Sequence, residues 1–513
     1  IMAQYNFKHL NHTDIPEEVE IAVVGAGVSG LYSTWKILEQ NPRANICILD
    51  QIGRIGGRLD SDVIKFKNEA TGEVRSVKEE EGGMRFTFDS MDNLMALLMK
   101  LNLTDDIVPF PMSSDGNNRL YFRGKPFTNN DSGKDDYAVW SDLYNLEVSE
   151  QGTNPKTIIN TVYNRILDVN PAFTDSDVFK LSEKTKERGP VFWQAFRLNC
   201  AWKGVGLKDW QLQGLLADMG YSTEVINLLY RLSGFNGTFL SEMSAGIAYQ
   251  LLEEFPKDPK FKTLKLGFSM LTNGMVDAIR SIQPNKRTTV QRIFLRTTVD
   301  GIDHSEKDDS FVVNYTQIRG TGVSQTIKTG TIKAKKIILG LPRLALEKLF
   351  IGSGVFGKLG TQASARLWNQ LQSTSNQPLV KINLYYDRAW WGNGISGQPA
   401  VAFGPNFSDT PMGSVYPFYT VDEKIAAALE YARWLRSQKM DIPADIQAIL
   451  DSKYQMPAAL TIYCDYMNVN FWKALQNVGQ PYMTEMQRAH KKLLPASEAV
   501  VDKATDFFKK LFN

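Results

Sequence analysis

The apolar positions near the start of the chain form two short runs with an amphipathic segment between them. Residues 21–24 (IAVV) are apolar throughout, as in a strand buried on both faces, and residues 45–49 (NICIL) form a second such run. The intervening segment carries apolar residues at roughly helical spacing, namely Leu31, Trp35, Ile37 and Leu38. This order predicts a strand, a helix and a second strand, which is a βαβ unit.

The turn between the first strand and the helix is GAGVSG, residues 25–30. In a G-x-G-x-x-G turn, the first glycine makes the tight turn, the second lets backbone amides approach a pyrophosphate, and the third lets the helix pack on the strand. The helix N-terminus then faces the phosphates with its partial positive charge. Asp50 ends the second strand and suits a ribose 2′-hydroxyl. We expect the cofactor to contact Gly25, Gly27, Val28, Ser29, Gly30 and Asp50.

A second glycine-rich loop, residues 53–58 (GRIGGR), follows directly. Its arginine forks suit pyrophosphate oxygens, and a plain NAD site rarely has such a loop. The two loops together resemble the flavin-containing amine oxidase family. The resemblance implies tightly but noncovalently bound FAD, with Asp50 on the adenosine ribose and Gly57 and Arg58 near the phosphates. The family usually has glutamate at the position of Asp50, a conservative difference that we expect to preserve binding.

The composition is that of an ordinary globular protein with two or three domains. The chain has 513 residues, of which 43% are apolar and 22% charged, and its net charge of +2 argues against nucleic acid or an anionic membrane as a partner. Residues 1–20 are polar, and no run approaches the ~20 apolar residues that a membrane span needs. We expect a cytoplasmic protein without membrane contact, although a processed mature form would look similar.

The cysteines and histidines do not form the spacings of a metal site. Cys47, Cys200 and Cys464 are far apart, which predicts buried thiols, with one disulfide as the alternative. None of the four histidines resembles a catalytic base or part of a ligand cluster. The sequence therefore gives no support to metal-dependent chemistry or to Ser-His-Asp chemistry. Cys464 is the only candidate late in the sequence for covalent flavin attachment.

The later part of the chain alternates between helical and strand patterns. Helical patterns dominate residues 153–250, and strand character returns at 264–271, before a loop at Gly274 that is expected to open a helix. Further strands are expected at residues 293–295, 297–299, 311–315 and 336–341. This block resembles the family's second FAD-binding segment, which implies that Val299 lies beside the adenine. A generic β-hairpin is the alternative interpretation.

The expected fold class is α/β. It has a Rossmann-like FAD-binding domain of the two-dinucleotide-binding-domain type, an interleaved α+β substrate domain and a helical domain. The expected boundaries are residues 15–75, 260–345 and 455–470 for the FAD-binding domain, 76–130 and 346–454 for the substrate-binding domain, 131–259 for the helical domain, and 471–513 for C-terminal helices.

Residues 82–86 (GGMRF) are the most informative segment for substrate class. Gly82 and Gly83, followed by Met84, allow close approach of the backbone to an isoalloxazine ring, and Arg85 offers a two-pronged contact to a carboxylate. The segment resembles the L-amino acid oxidase branch of the family, in which this arginine binds the substrate α-carboxylate. The alternative is a structural ion pair between Arg85 and residues 79–81.

A strand beginning near residue 379 carries the next candidates. Alternation places Lys381 and Asn383 on one face, and the family has a lysine here that binds a water near flavin N5. The oxidase branch also has a tyrosine on the substrate carboxylate; Tyr416 is favoured, and Tyr419 remains possible. Trp390 and Trp391 either wall the flavin or fill the core.

The helical region offers candidates for the side-chain pocket. Phe235, Phe239 and Met243 are apolar, and Asp218 or Glu242 suits a basic substrate side chain. Helix packing is the alternative role for each of them. No histidine of the kind that snake-venom members have in this part of the pocket is present in the region.

The end of the chain departs from the family pattern. No G-E-x-[YS] segment, which normally covers the flavin, follows residues 456–463, and residues 500–512 form one apolar helical stripe. We expect a further polypeptide, either a cleaved C-terminal fragment or residues beyond this chain, to complete the FAD site. A degenerate cofactor site is the alternative.

The function expected from the resemblance is FAD-dependent oxidation of L-amino acids. Hydride would leave Cα, and the imino acid would hydrolyse to a 2-oxo acid and ammonia while O2 becomes hydrogen peroxide. The expected partners are the amino acid and O2, and a homo-oligomer is expected. The alternatives are an amino acid monooxygenase, an amine or polyamine oxidase, a plain NAD dehydrogenase, and a flavin-less binding protein.

Overall fold

The fold was examined in a computed structural model of the chain. It describes residues 14–67, 72–88, 91–110, 112, 118–174, 189–232, 237–254, 260–282, 292–320, 324–374, 376–392, 401, 404–420, 422–465 and 468–472. The expectations for Phe235 and for residues 500–512 lie outside the described residues, as does the side chain of Glu242.

The strands of the described part of the chain are β1 (Glu18–Val24), β2 (Ile46–Leu49), β3 (Ser61–Lys67), β4 (Val74–Glu80), β5 (Ile107–Pro109), β6 (Arg119–Phe122), β7 (Lys125–Thr128), β8 (Ala201–Trp202), β9 (Val205–Gly206), β10 (Lys262–Leu264), β11 (Ile293–Phe294), β12 (Thr297–Ser305), β13 (Ser310–Arg319), β14 (Thr326–Leu339), β15 (Leu379–Tyr386), β16 (Asn406–Ser408), β17 (Ser414–Tyr419) and β18 (Ala458–Asp465).

The α-helices of the same part are α1 (Val28–Gln40), α2 (Asp92–Lys100), α3 (Ala138–Leu143), α4 (Ile158–Asp168), α5 (Pro190–Asn199), α6 (Leu212–Asp218), α7 (Thr223–Leu232), α8 (Ala245–Glu254), α9 (Ser269–Ser281), α10 (Arg343–Ile351), α11 (Gly354–Gly357), α12 (Thr361–Gln372), α13 (Glu423–Ser437) and α14 (Ala444–Ser452). Short 3₁₀ turns connect several of them.

The first sheet confirms the βαβ unit. Its strand order is β11-β2-β1-β14-β13-β12, and β1 lies parallel to both β2 and β14. The apolar runs of β1 and β2 are largely buried, as expected for parallel strands covered on both faces, and α1 and α9 pack together over them. The expected strands at 293–295, 297–299, 311–315 and 336–341 correspond to β11 through β14.

The strand expected at residues 264–271 is wrong. β10 ends at Leu264, Gly267 turns the chain with a φ of +93°, and α9 begins at Ser269. Gly274 therefore lies inside a helix rather than in a loop that opens one, and it packs closely against Leu101 of the segment after α2. The apolar residues of this region belong to a buried helix face, which resembles a buried strand over so short a window.

The second sheet has the order β15-β18-β17-β16-β6-β7. β18 lies between β15 and β17 and is antiparallel to both. The assignment of residues 455–470 to the FAD-binding domain is therefore wrong for this strand, which belongs to the substrate-side sheet. A buried strand has the same apolar pattern in either sheet, so the pattern alone does not distinguish them.

The remaining elements complete the frame of the site. Helices α3 to α8 surround an apolar core of their own, in which Trp140, Phe196 and Leu228 are buried. The β3–β4 hairpin contacts β18 of the second sheet through β4, and β4 leads directly into Gly82. No helix in the described residues is long and apolar enough to cross a membrane.

Candidate active site

Three glycine-rich segments from distant parts of the sequence meet at the end of β1. Gly27 and Gly56 form an isolated parallel bridge, and the Gly56 amide donates to Ala26 O at 2.9 Å. The Gly83 amide reaches Arg58 O at 3.3 Å. The two loops expected to contact phosphates and the segment expected to approach the flavin ring thus form one continuous surface.

The glycines of this surface are required by close backbone approach. A Cβ on Gly30 would lie 1.9 Å from Gly25 O, and one on Gly82 would lie 1.8 Å from Arg58 O. Gly25 and Gly57 have φ values of +104° and +58°, where other residues are strained. A Cβ on Gly83 would lie 2.9 Å from the end of the Leu59 side chain, which can move aside. A small side chain is therefore tolerated better at Gly83 than at Gly82.

The start of α1 has the features of a phosphate-binding helix N-terminus. Gly27 is the N-cap, no side chain caps it, and Val28 and Ser29 form the first turn, whose backbone amides lack intrahelical partners. In the second loop, Arg54 forms an ion pair with Asp60 at 2.8 Å, whereas Arg58 is exposed at the loop's end. This donor set fits a pyrophosphate.

Asp50 is attached to the glycine turn by its carboxylate. Oδ2 accepts from the Ala26 amide at 2.7 Å and Oδ1 accepts from the Ile52 amide at 2.9 Å. Each carboxylate oxygen has a further lone pair, so a ribose hydroxyl has an acceptor here. Asp50, which has a shorter side chain than the glutamate usual in the family, thus connects the glycine turn to the end of β2.

Val299 lies on the edge strand β12, close to the end of β2. The Thr297 amide donates to Asp50 O at 2.7 Å, which holds the beginning of β12 against the end of β2. The Val299 side chain packs against the apolar cluster that includes Ala22 and Leu49. Contact between Val299 and an adenine stays a prediction.

Arg85 lies in a box of aromatic rings. Its Cζ is 4.5 Å from the centroid of the Phe261 ring, 5.6 Å from that of Phe110 and 5.8 Å from that of Tyr416. Its Nη1 is 3.7 Å from Met112 Sδ. The guanidinium has no carboxylate within ion-pair distance among the described residues. Face-on rings stabilise a cation but provide no counter-charge.

The acidic residues before Gly82 form hydrogen bonds with groups other than Arg85. Glu80 accepts from the Ser61 hydroxyl at 2.6 Å, from Lys78 Nζ at 3.1 Å and from the Phe268 amide. Glu81 accepts from Asn383 Nδ2 at 2.8 Å. The alternative in which Arg85 forms a structural ion pair with residues 79–81 is therefore wrong, and the arginine is available to an external anion.

Of the two candidate tyrosines, Tyr416 faces Arg85. It is 3% exposed, and burial raises the pKa of its hydroxyl while the Arg85 charge opposes this rise. Tyr419 instead donates to Val401 O at 3.0 Å and packs against Trp391. Trp390 and Trp391 belong to the same buried cluster as Tyr419, so both fill the core of the second sheet.

Lys381 reaches the glycine segment from β15. Its Nζ donates to Gly82 O at 2.5 Å and to Glu80 O at 3.2 Å. Burial lowers the pKa of Lys381 to about 8, although the nearby carboxyl groups, Glu79 first among them, oppose this shift. The lysine and Arg85 thus lie on either side of Gly82 and Gly83.

Strand register brings further residues to the site that the sequence did not identify. Lys381 is paired with Tyr463 of β18, and its Nζ is 5.0 Å from the centroid of that ring. Thr461 is flanked by Asn383 on β15 and Tyr416 on β17. Alternation along β18 indicates that Thr461 and Tyr463 share a face, but only the register of three strands places that face here.

The candidates from the helical region are not brought to this site by any described contact. Asp218 accepts from Trp202 Nε1 at 2.7 Å and forms an ion pair with Lys203 at 2.9 Å, on the surface. Phe239 and Met243 are half-buried beside α8. A role of these residues in side-chain recognition stays a prediction.

A cavity of about 1190 Å³ leads toward the aromatic box. Its lining includes Met84, Phe110 and Phe418 together with residues of α13 and α14. The cavity is large enough for an amino acid with any side chain, since ligand pockets commonly have volumes of about 300–1,000 Å³. Through Phe110 it borders the rings around Arg85.

The cysteines of the chain are free and buried, which confirms the expectation of thiols. Burial raises the pKa of Cys47, Cys200 and Cys464 to about 12. Among the described residues, no group of three or more histidine, cysteine, aspartate or glutamate side chains is suited to a metal ion.

Comparison with known proteins identifies the class to which this fold and site belong. Residues 28–433 match the model of the flavin containing amine oxidoreductase family. The chain belongs to this family and has its Rossmann-like α/β fold, as the glycine loops led us to expect. It is thus a flavin-dependent amine oxidoreductase.

The curated relatives are distant. The chain is 24% identical over 397 residues to the uncharacterized protein R188 of Acanthamoeba polyphaga mimivirus, covering 75% of this chain and 67% of that one. It is also 24% identical to achacin of Lissachatina fulica, covering 78% and 66%, and to aplysianin-A of Aplysia kurodai, covering 78% and 64%. The chain therefore spans about two thirds of the length of these relatives.

Solved structures of putrescine oxidase share the fold. A redesigned triple mutant aligns with a TM-score of 0.51 at 14% identity, covering 93% of this chain and 81% of that one. The wild-type putrescine oxidase bound to putrescine aligns with a TM-score of 0.50 at 13% identity, covering 93% and 82%. At such identities the similarity concerns the fold alone.

Proposed function

We propose that the protein is an FAD-dependent L-amino acid oxidase, which releases a 2-oxo acid, ammonia and hydrogen peroxide. The observation that carries the proposal is Arg85, a half-buried guanidinium surrounded by rings and without a carboxylate partner among the described residues. A partly desolvated cation of this kind favours an anion that arrives with the substrate. An α-carboxylate meets this requirement, whereas a simple amine does not.

The residues around Arg85 suit an amino acid bound by its carboxylate. The guanidinium fork matches two carboxylate oxygens, and the Tyr416 hydroxyl, whose pKa is raised by burial, remains a donor at neutral pH. Phe110, Phe261 and Phe418 exclude water around the substrate, which strengthens the ionic contact. The Cα of the substrate would then lie near Gly82 and Gly83, where the backbone allows the closest approach.

When bound, FAD would supply the redox chemistry by which hydride leaves Cα and O2 is reduced. Noncovalent binding is supported by Cys464, whose thiol is buried in the core of the second sheet and donates to Pro411 O at 3.8 Å. Lys381 contributes a cation beside Gly82, where it stabilises negative charge that develops on reduced oxygen. The chain's own contribution is orientation, exclusion of water and electrostatics.

The proposal is tested by screening the twenty L-amino acids and their decarboxylated amines for peroxide release by the flavin-containing protein. We expect turnover of one or more amino acids and little turnover of the matching amines. Peroxide formation from the amines alone would refute the proposal and indicate an amine oxidase. Formation of an amide in place of the 2-oxo acid would indicate an amino acid monooxygenase.

A further inference from the structure

Glu79, near the end of β4, lies beside Lys381 and takes no part in the proposed oxidation of amino acids. Its side chain is 5% exposed, and it is among the residues that line the large cavity. Burial raises the pKa of Glu79 to about 8. The Thr461 hydroxyl oxygen lies 3.3 Å from Glu79 Oε2.

The direction of the hydrogen bonds around Thr461 determines the protonation of Glu79. Asn383 donates through Nδ2 to Glu81 Oε1 at 2.8 Å, so its Oδ1 faces Thr461 and must accept. The Thr461 hydroxyl is 2.7 Å from that Oδ1 and has a single hydrogen, which it donates to Asn383. With that hydrogen used at the shorter contact, the hydroxyl can offer only lone pairs to Glu79 Oε2, and only a protonated carboxyl group can donate to them.

The two nearby lysines donate to other acceptors and therefore do not replace the proton on Glu79. Lys78 contacts Glu80 at 3.1 Å, and Lys381 Nζ directs two donors to the backbone oxygens of Glu80 and Gly82. Rotation of the Asn383 amide would replace its hydrogen bond to Glu81 Oε1 by a contact between two oxygens. The charged and titratable groups that face Glu79 and Lys381 are Lys78, Glu80, Glu81, Arg85, Tyr385 and Tyr463.

We propose that Glu79 is a neutral carboxylic acid at neutral pH and donates a hydrogen bond to Thr461, and that its carboxylate, formed only as the pH rises, then keeps Lys381 positively charged. When the pH rises, the pair loses its first proton from Glu79, and the resulting carboxylate retains the proton on Lys381. The two groups titrate as a pair rather than singly. The part of the proposal that concerns oxygen reduction rests on the proposed function; the protonation of Glu79 does not.

The first test uses infrared spectroscopy of the purified wild-type protein at neutral pH. We expect the C=O absorption of a protonated carboxyl group that disappears in Glu79→Gln and persists in Thr461→Val at higher frequency, because the valine variant lacks the acceptor. Glu80→Gln is the matched control, since Glu80 accepts from several donors as a carboxylate, and it should keep the absorption. An unchanged absorption in Glu79→Gln, or no such absorption in the wild type, would overturn the proposal.

The second test is the pH dependence of folding stability. Because the folded protein keeps a proton that the unfolded chain releases between about pH 4.5 and 8, the wild type loses stability in that window as the pH rises. Relative to Glu79→Gln, its unfolding equilibrium constant should rise about tenfold per pH unit. Equal slopes for both proteins would contradict a neutral Glu79.

The third test measures flavin reoxidation by O2 in stopped flow from pH 6 to 10. We expect Glu79→Gln to have a normal rate at low pH and an alkaline decline that begins roughly one pH unit or more below that of the wild type, because Lys381 has lost its carboxylate. A purely structural residue would lower the rate equally at every pH. If the infrared and stability results hold while no amino acid is oxidised, the proposed function fails and the protonation of Glu79 stands.

Discussion

Replacement of Arg85 provides the sharpest test of the substrate class. Arg85→Met keeps much of the apolar volume among Phe110, Phe261 and Tyr416 but removes the cation. Loss of one partner of a buried charged contact costs about 2–5 kcal/mol. The site is enclosed by buried rings, so we expect a value in the upper half of this range.

A cost of about 4 kcal/mol corresponds to a loss of roughly 1,000-fold in kcat/KM for the best amino acid. Arg85→Lys keeps the charge and loses one of two parallel hydrogen bonds. A hydrogen bond to a charged group contributes about 1.5–3 kcal/mol, so this variant should lose about 10- to 150-fold. The decarboxylated amine of the same substrate should be turned over no worse by either variant than by the wild type.

The assay is peroxide release under steady-state conditions, with flavin content determined from visible absorbance for each preparation. Arg75→Met is the matched control, because Arg75 is a surface arginine of β4 in an ion pair with Glu73 at 2.8 Å. It should retain both activities within about twofold, since exposed ion pairs contribute little. If Arg85→Met keeps normal kcat/KM for the amino acid, or loses both substrates equally, Arg85 is structural and the reasoning fails.

Other predictions concern the cofactor surface and the neighbouring side chains. Gly30→Ala should abolish flavin retention, because its Cβ would lie 1.9 Å from a backbone oxygen, whereas Gly357→Ala has open space and should keep a yellow protein on gel filtration. Lys381→Met should slow flavin reoxidation more than reduction in stopped flow; equal effects on both half-reactions would remove it from oxygen chemistry. Tyr416→Phe should raise KM for the amino acid, whereas Tyr419→Phe should leave KM unchanged and lower the free energy of unfolding by about 1 kcal/mol. The reverse outcome would show that the wrong tyrosine has been assigned.

The cofactor surface was largely predictable because its determinants are local. Gly25, Gly27 and Gly30 lie within one turn, and their spacing between an apolar strand and an amphipathic helix is sufficient to indicate a dinucleotide site. The second loop, residues 53–58, follows β2 directly in the chain. The βαβ unit therefore places it beside the first loop. Close contacts that need glycine leave a signature in the sequence itself.

The substrate side was only partly predictable. The sequence indicated Arg85, Lys381 and a tyrosine near residue 416, but it left open whether Arg85 has a structural acidic partner. Glu79, Thr461 and Tyr463 carried no distinguishing pattern, and the strand that holds the last two was assigned to the wrong sheet. Their significance depends on which strands lie beside β18.

By itself, then, the sequence determined the class of fold and the glycine cradle, and it named Arg85 and Lys381 as the candidates for an anion and for oxygen chemistry. Only the tertiary structure decided that Tyr416 rather than Tyr419 faces Arg85, that Gly274 lies in a helix, and that Glu79 lies beside Lys381. The physical reason is that a period of two indicates the face of a strand but not its register with strands distant in the chain. Register and sheet order arise from packing of whole surfaces, which no short segment contains.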